Sequence, residues 1–234
     1  MVNKVVGLNI DLKIKDQITS LKVQMGRNIV VGLMFISSLC LQGCNPAGER
    51  KSKPDPIPET TFNEDGSINV YIEIPAGTNV KNEINKEDNT IKPDQVNGVD
   101  RVIDFLPYPG NYGFIAATMM DEARGGDGDA LDVLVLCDAR KSGAALRVKP
   151  IGVILLEDGG QQDHKIIAVP FNESERTINV DKFSSFITKY NAAQFIVQEW
   201  FLNYKGLGKM KLSGWKDEEF ALKEIRKWSK DEKK

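Results

Sequence analysis

Three carboxylates crowd the six positions of Asp127-Gly128-Asp129-Ala130-Leu131-Asp132, directly ahead of the apolar run Val133-Leu134-Val135-Leu136. Gly125, Gly126 and Gly128 loosen the backbone before that run, which reads as a buried strand. Carboxylates this close repel, and each is driven towards its protonated form unless a cation sits among them. A hard divalent cation held through oxygens, Mg²⁺ in particular, resolves the repulsion. A polar loop capping a strand accounts for the same residues without chemistry. Asp158 and Asp163 flank a second glycine-containing loop, where they are ordinary turn residues and also well placed to add carboxylates to a neighbouring cation.

Other residues with chemical potential are spread along the chain. Glu73 interrupts Val70-Tyr71-Ile72-Glu73-Ile74, either as a charge that discourages edge pairing or as a carboxylate aimed into a site. Lys81 and Glu83 lie two apart, so both point to one face of an extended segment, as surface ion pairs often do. Arg101 shares strand parity with Val99, Ile103 and Phe105; a guanidinium on that apolar side needs Asp100, Asp104 or an anionic ligand. The loop Pro107-Tyr108-Pro109-Gly110-Asn111-Tyr112-Gly113-Phe114 supplies phenols that suit a core or a polar cleft. Tyr204-Lys205 ends a helical stretch, where a lysine also neutralises the helix dipole. His164 is the single histidine, and nothing in the sequence arranges it for a zinc site or a Ser-His-Asp apparatus.

Those residues need elements to position them. Strands are expected around positions 70, 102, 134, 152 and 167, with 147–156 and 165–169 forming a hairpin. Helical spacing of Phe183, Phe186, Ile187, Tyr190, Val197, Trp200 and Tyr204 predicts one helix from Asp181 to Tyr204, stopped by Gly206. A charged amphipathic helix follows over 217–228. The whole is ordinary in composition, 41% hydrophobic and 27% charged, with a net charge of −2. No basic surface argues for nucleic acid.

The N-terminus reads separately. An apolar run over 29–41, flanked by Arg27, is too short to span a bilayer, which takes about 20 residues, and has the proportions of a signal-peptide core. Leu41-Gln42-Gly43-Cys44 resembles the lipobox of bacterial lipoproteins, in which the cysteine becomes the lipidated first residue. Three segments follow from this: a leader over 1–43 with Met25 as the true start, a Pro- and Lys-rich tether over 44–61, and a folded domain over 62–234. The expected product is an exported lipoprotein held to a membrane by Cys44; a cytoplasmic protein is the alternative. A lipidated Cys44 leaves only Cys137, so stability has to come from the core rather than from a disulfide.

Taken in order, Ile72-Glu73-Ile74-Pro75, Lys81-x-Glu83, Asp100-Arg101, Tyr108-Pro109-x-Asn111-Tyr112-Gly113, Asp127-x-Asp129-x-x-Asp132, Asp158-x4-Asp163-x-Lys165 and Tyr204-Lys205 resemble the soluble family I inorganic pyrophosphatases, over about residues 67–230. The resemblance implies a mainly β fold with flanking α-helices, a closed five-stranded OB-like barrel. It implies that Asp127, Asp132, Asp158 and Asp163 hold Mg²⁺, several ions to a site, with Mn²⁺ or Zn²⁺ as substitutes. Glu73 and Glu83 would bind further metal or its waters, and Asp129 would help deprotonate the attacking water. Lys81, Arg101, Tyr112, Lys165, Tyr204 and Lys205 would hold pyrophosphate. Ala130 stands where the family usually has Pro, and Asn82 where Tyr is usual; neither removes a ligand. A homohexamer is the family's common bacterial assembly.

The implied chemistry is physically coherent. Pyrophosphate is a dense polyanion, and two metals can make a nucleophile of water at neutral pH while clamping the attacking and leaving oxygens. Lys and Arg then stabilise the leaving phosphate, and water attacks in line without a phosphoenzyme. Rival readings fit less well. In haloacid-dehalogenase-type phosphohydrolases the strand precedes the Asp pair, whereas here it follows. An EF-hand calcium module fails because Asp132 stands where the loop needs Gly. An OB-type nucleic-acid binder would want a basic face.

Overall fold

The computed structural model describes residues 53–85, 88 and 90–231. The expected leader and Cys44 lie outside the described residues. The strands are β1 (Ile68–Ile74), β2 (Asn82–Ile84), β3 (Ile91–Pro93), β4 (Gln95–Val96), β5 (Val99–Asp100), β6 (Asn111–Ile115), β7 (Asp132–Val135), β8 (Ala144–Asp158), β9 (Gln161–Gln162), β10 (Lys165–Pro170) and β11 (Met210–Lys216). The helices are α1 (Phe183–Lys189), α2 (Asn191–Asn203) and α3 (Glu218–Trp228).

Five strands close on themselves. β1 pairs with β6, β6 with β7, β7 with β10, β10 with β8, and β8 returns to β1. Every pairing is antiparallel except β7 with β10. Closure leaves no free edge on these strands, the usual answer of a small β protein to edge-to-edge association. β8 is 15 residues long: its first part serves β1, its middle β10, and its far end carries β11 and β9. The ring is the expected mainly β, closed five-stranded barrel with flanking helices.

Alternate residues of the wall feed two apolar clusters, as the two-residue period of a strand requires. Val133, Val135, Ile166 and Ala168 join Ala221, Ile225 and Trp228 of α3. Leu134, Ile167 and Val169 join Phe186 of α1 and Val197, Trp200 and Phe201 of α2. Gly113 lets two strands approach: a Cβ there would lie 2.0 Å from the Tyr71 carbonyl oxygen.

Four of the five expected barrel strands are present, and the fifth is elsewhere. Over 99–106 there is only the two-residue β5 and an isolated bridge at Val102, and the barrel position belongs to β6. Alternation misled because Val99 and Phe105 are exposed while Ile103 alone is buried. The helix expected over 181–204 is two helices, broken at Tyr190 with φ −131° and ψ 38°. Both halves pack on the same cluster, so the apolar spacing runs through a break that the backbone does not.

The domain also begins earlier than position 62. Residues 53–61, expected in the tether, are docked on it. The Asp55 carboxylate accepts from Lys141 Nζ at 2.7 Å and the Ala145 amide at 3.1 Å. Thr61 is buried, and its hydroxyl donates to the Ala116 carbonyl at 2.9 Å. Among the described residues no helix is long and apolar enough to cross a membrane.

Candidate active site

A cleft of about 580 Å³ opens beside the barrel, and its walls carry all thirteen residues singled out for metal, catalysis or phosphate. Seven carboxylates and five bases face it, from segments as distant as Glu73 and Lys230. Folding alone brings them together.

Glu73 arrives by a bulge. Ile72 is opposite Gly113 and Ile74 opposite Tyr112, so Glu73 is the extra residue and its side chain is re-aimed. β1 is paired on both sides, which removes the edge-charge reading. Glu73 Oε1 accepts the Ile84 amide at 2.8 Å. Burial, with the charges of Asp132 and Glu83 adding to it against that bond, pushes Glu73 up to about 8.

Lys81 pairs with Glu83 and reaches Asp94 at 3.5 Å. Arg101 is paired with neither Asp100 nor Asp104; its NH1 donates to Asp94 at 3.1 Å. Asp94 therefore holds two of the expected phosphate-binding bases, a role no motif marks. The backbone bonds Asp94 N–Lys81 O and Arg101 N–Asp94 O, each 2.7 Å, lay it between them.

The acidic loop is tied rather than loose. The Asp121 carboxylate accepts the Ala123 amide at 3.0 Å and starts a 3-10 turn over Glu122–Arg124 that ends at Gly125, φ 85°. Met120 and Gly128 exchange backbone bonds with Asp129 and Met120 at 2.7 and 2.8 Å. Leu131 is buried, and its amide donates to the Thr118 hydroxyl at 3.0 Å. Asp127 Oδ1 accepts the Asp129 amide at 3.0 Å, which orients the Asp127 carboxylate on the loop backbone.

Lys165 forms the floor. β7 and β10 pair in register at Asp132 and Lys165, which puts both side chains on one face. Its ammonium, 2% exposed, is hydrogen-bonded to the carboxylates of Asp132 and Asp163. Burial pulls Lys165 down, but Asp132 and Asp163 outweigh it and hold the lysine above its ordinary range, charged. Burial raises Asp132 in turn, with Asp163 adding to it and Lys165 opposing. The Tyr112 ring lies 5.8 Å from the Lys165 Nζ, and burial raises its phenol. Its neighbour in the aromatic loop, Tyr108, packs on Trp200 instead, at 4.4 Å between ring centres. Tyr204 stacks on Trp200 at 4.6 Å, and Lys205 pairs with Asp158.

Among the described residues no three His, Cys, Asp or Glu side chains stand close enough, as oriented, to hold a metal ion. Lys165, Lys205 and Lys81 each lie against carboxylates of the expected ligand set. The donors nonetheless suit a hard cation. They are all oxygens, acids outnumber bases, and Asp163 Oδ2 is buried with no hydrogen-bond partner among the described residues. Asn82 and Ala130 line the same cleft. So do Ile57 and Lys230, which composition and motif did not mark. His164 points away from it, towards Glu224 at 3.3 Å.

The chain is similar to known proteins in sequence and in fold. The family model described as inorganic pyrophosphatase matches residues 70–233. An inorganic pyrophosphatase of Mesorhizobium japonicum is 38% identical over 173 residues, 71% of this chain and 90% of that protein. One from Saccharolobus solfataricus is 37% identical over 68% of this chain and 88% of its own length. Among solved structures, the inorganic pyrophosphatase of Neisseria gonorrhoeae superposes with a TM-score of 0.60 at 29% identity, covering 75% of this chain and 96% of that one. A truncated vacuolar soluble pyrophosphatase of Trypanosoma cruzi, solved in complex with PPi, gives 0.64 at 27%, over 76% of this chain and 70% of that one.

Proposed function

This chain belongs to the family I inorganic pyrophosphatases, and from that premise we propose how its cleft divides the work and where the enzyme acts. It is a hydrolase that splits pyrophosphate into two phosphates. Catalysis in the family is metal-dependent. The observation that carries the residue assignments is that thirteen side chains, spread from Glu73 to Lys205, line one cleft.

Mg²⁺ is the proposed metal, held by Asp127, Asp132, Asp158 and Asp163, with Glu73 and Glu83 taking further metal or its waters. When bound, it would supply positive charge to the phosphate oxygens and acidify the attacking water. Asp129 accepts a proton from that water as its oxygen attacks phosphorus in line. The bridging P–O bond breaks, and the second phosphate leaves. Lys81, Arg101, Lys165 and Lys205 stabilise the charge on the two phosphates, and the phenols of Tyr112 and Tyr204 donate to their oxygens. Burial raises both phenols and so keeps them protonated as donors. No side chain is phosphorylated.

The deciding assay is phosphate release from pyrophosphate with Mg²⁺, in wild type and Asp129→Asn. The substitution keeps the shape and removes the base, and is expected to lower kcat by about 10²–10⁴-fold. Equal activity in the two, or none in wild type, refutes the assignment.

For location, we propose an exported lipoprotein joined to a membrane through Cys44, and for assembly a homohexamer. The Leu41-Gln42-Gly43-Cys44 sequence supports the first. Cys44→Ala is expected to move the protein from the membrane to the soluble fraction and to abolish the lipid mass. An unchanged mass and partition would favour the cytoplasmic alternative. Size exclusion with light scattering reads the assembly, and a monomeric mass rules out the hexamer.

A further inference from the structure

β10 begins at Lys165, and Asp163, two residues before it, faces the cleft as Lys165 does, while the residue between them lies outside the cleft. There His164 Nδ1 lies 3.3 Å from Oε2 of Glu224. The same oxygen accepts the Trp228 indole N–H at 3.2 Å. Glu224 is buried on the apolar side of α3, among Ala221, Ile225 and Trp228. A carboxylate in that setting costs stability unless its bonds serve something.

What they serve is a link between the two halves of the site. The Trp228 carbonyl accepts the Met119 amide at 2.9 Å, at the root of the acidic loop. From within that loop Arg124 stacks on the Trp228 ring, 4.7 Å from its centre, and donates to the Lys227 carbonyl at 3.1 Å. Glu224 thus touches, through one neighbour on each side, the segment Asp163–Lys165 that leads into β10 and the loop carrying Asp127 and Asp129 that leads into β7 at Asp132. We propose that Glu224 is a positioning residue: through His164 and Trp228 it fixes the spacing of those two carboxylate sets and so sets the affinity of the cleft for Mg²⁺. The inference rests on the metal reading given above and adds to it a residue that touches neither substrate nor cation. Ligand sets lose function when displaced by about 0.5 Å, and groups that orient them are worth about 10–100-fold in metal affinity.

The test titrates the full chain with Mg²⁺ alone, by calorimetry, beside phosphate release at rising Mg²⁺. His164→Ala and Glu224→Ala are each expected to weaken Mg²⁺ binding by about 10–100-fold, with kcat recovered at saturating Mg²⁺. The double variant should be no weaker than the worse single one, because both act through one link. Glu224→Gln, whose amide oxygen accepts both bonds, should recover most of the loss. A lowered thermal midpoint with unchanged Mg²⁺ affinity means that the contact is structural only and overturns the proposal, as do additive losses. Should Glu224→Ala fail to fold, His164→Ala decides, since it leaves α3 untouched. Wild type that binds Mg²⁺ without releasing phosphate would refute the enzymatic reading while leaving the positioning claim to the calorimetry.

Discussion

Asp163 brings two carboxylate oxygens to the cleft, and one of them, Oδ2, has no hydrogen-bond partner among the described residues. Its other oxygen shares the Lys165 ammonium with Asp132, so two acids lean on one base in a buried place. Such a cluster is unfavourable by itself and is relieved by a bound cation. Mg²⁺ is therefore expected to raise the thermal midpoint of the wild type, by about 2.7 kcal/mol of stability at a hundredfold excess over its Kd. Asp163→Asn should shrink that gain and leave the metal-free midpoint at or above that of the wild type. Thermal scans with and without Mg²⁺ check both, and a lower metal-free midpoint with an undiminished Mg²⁺ gain would count against the cluster. At this scale residue type and order were informative: the acids, Lys165 and Tyr112 that the motif marks line one cleft. Asp94 was not legible, because its role comes from backbone bonds to Lys81 and Arg101 rather than from its neighbours in sequence.

The elements show why particular side chains reach the cleft. A bulge in β1 turns Glu73, the parallel register of β7 with β10 aligns Asp132 with Lys165, and Gly113 lets β6 lie against β1. Gly113→Ala would drive a methyl group into the Tyr71 carbonyl, which is backbone and cannot step aside. Overpacking of this kind costs about 1–3 kcal/mol and more where nothing yields. Urea denaturation is expected to show a loss of about 3 kcal/mol; a loss under about 1 kcal/mol would mean that the two strands part easily. Regular elements were readable where period and burial agree, as in β1, β7, β8 and β10. The reading failed over 99–106, where Val99 and Phe105 alternate like strand residues yet face solvent. It also failed at Tyr190, where helical spacing persists across a broken backbone.

Across the whole molecule, the residues just before β1 and those just after α3 meet. The Thr61 amide donates to Asp231 Oδ2 at 2.6 Å, its hydroxyl donates to the Ala116 carbonyl, and Ser229 Oγ bonds that hydroxyl at 3.0 Å. Composition reads residues 45–61 as tether, since Pro, Lys, Glu and Ser are common there, whereas the structure hydrogen-bonds Asp55 and Thr61 to the folded domain. Thr61→Val removes a buried hydroxyl from its bonds with the Ala116 and Ala117 carbonyls and Ser229 Oγ while keeping its volume. It should cost about 1–3 kcal/mol in urea denaturation, because the groups left behind are buried. No change would show that the segment lies outside the cooperative unit.

Residue identity and order alone determined the family resemblance, the acidic character of the site and the mainly β plan. Those properties are local: they depend on which groups the chain carries and on their period. Tertiary structure decided which charges neutralise one another, that Asp94 holds Lys81 and Arg101, that Glu224 ties α3 to His164, and which of two possible strands completes the barrel. Each of these depends on packing between segments far apart in sequence, and no local pattern encodes such a distance.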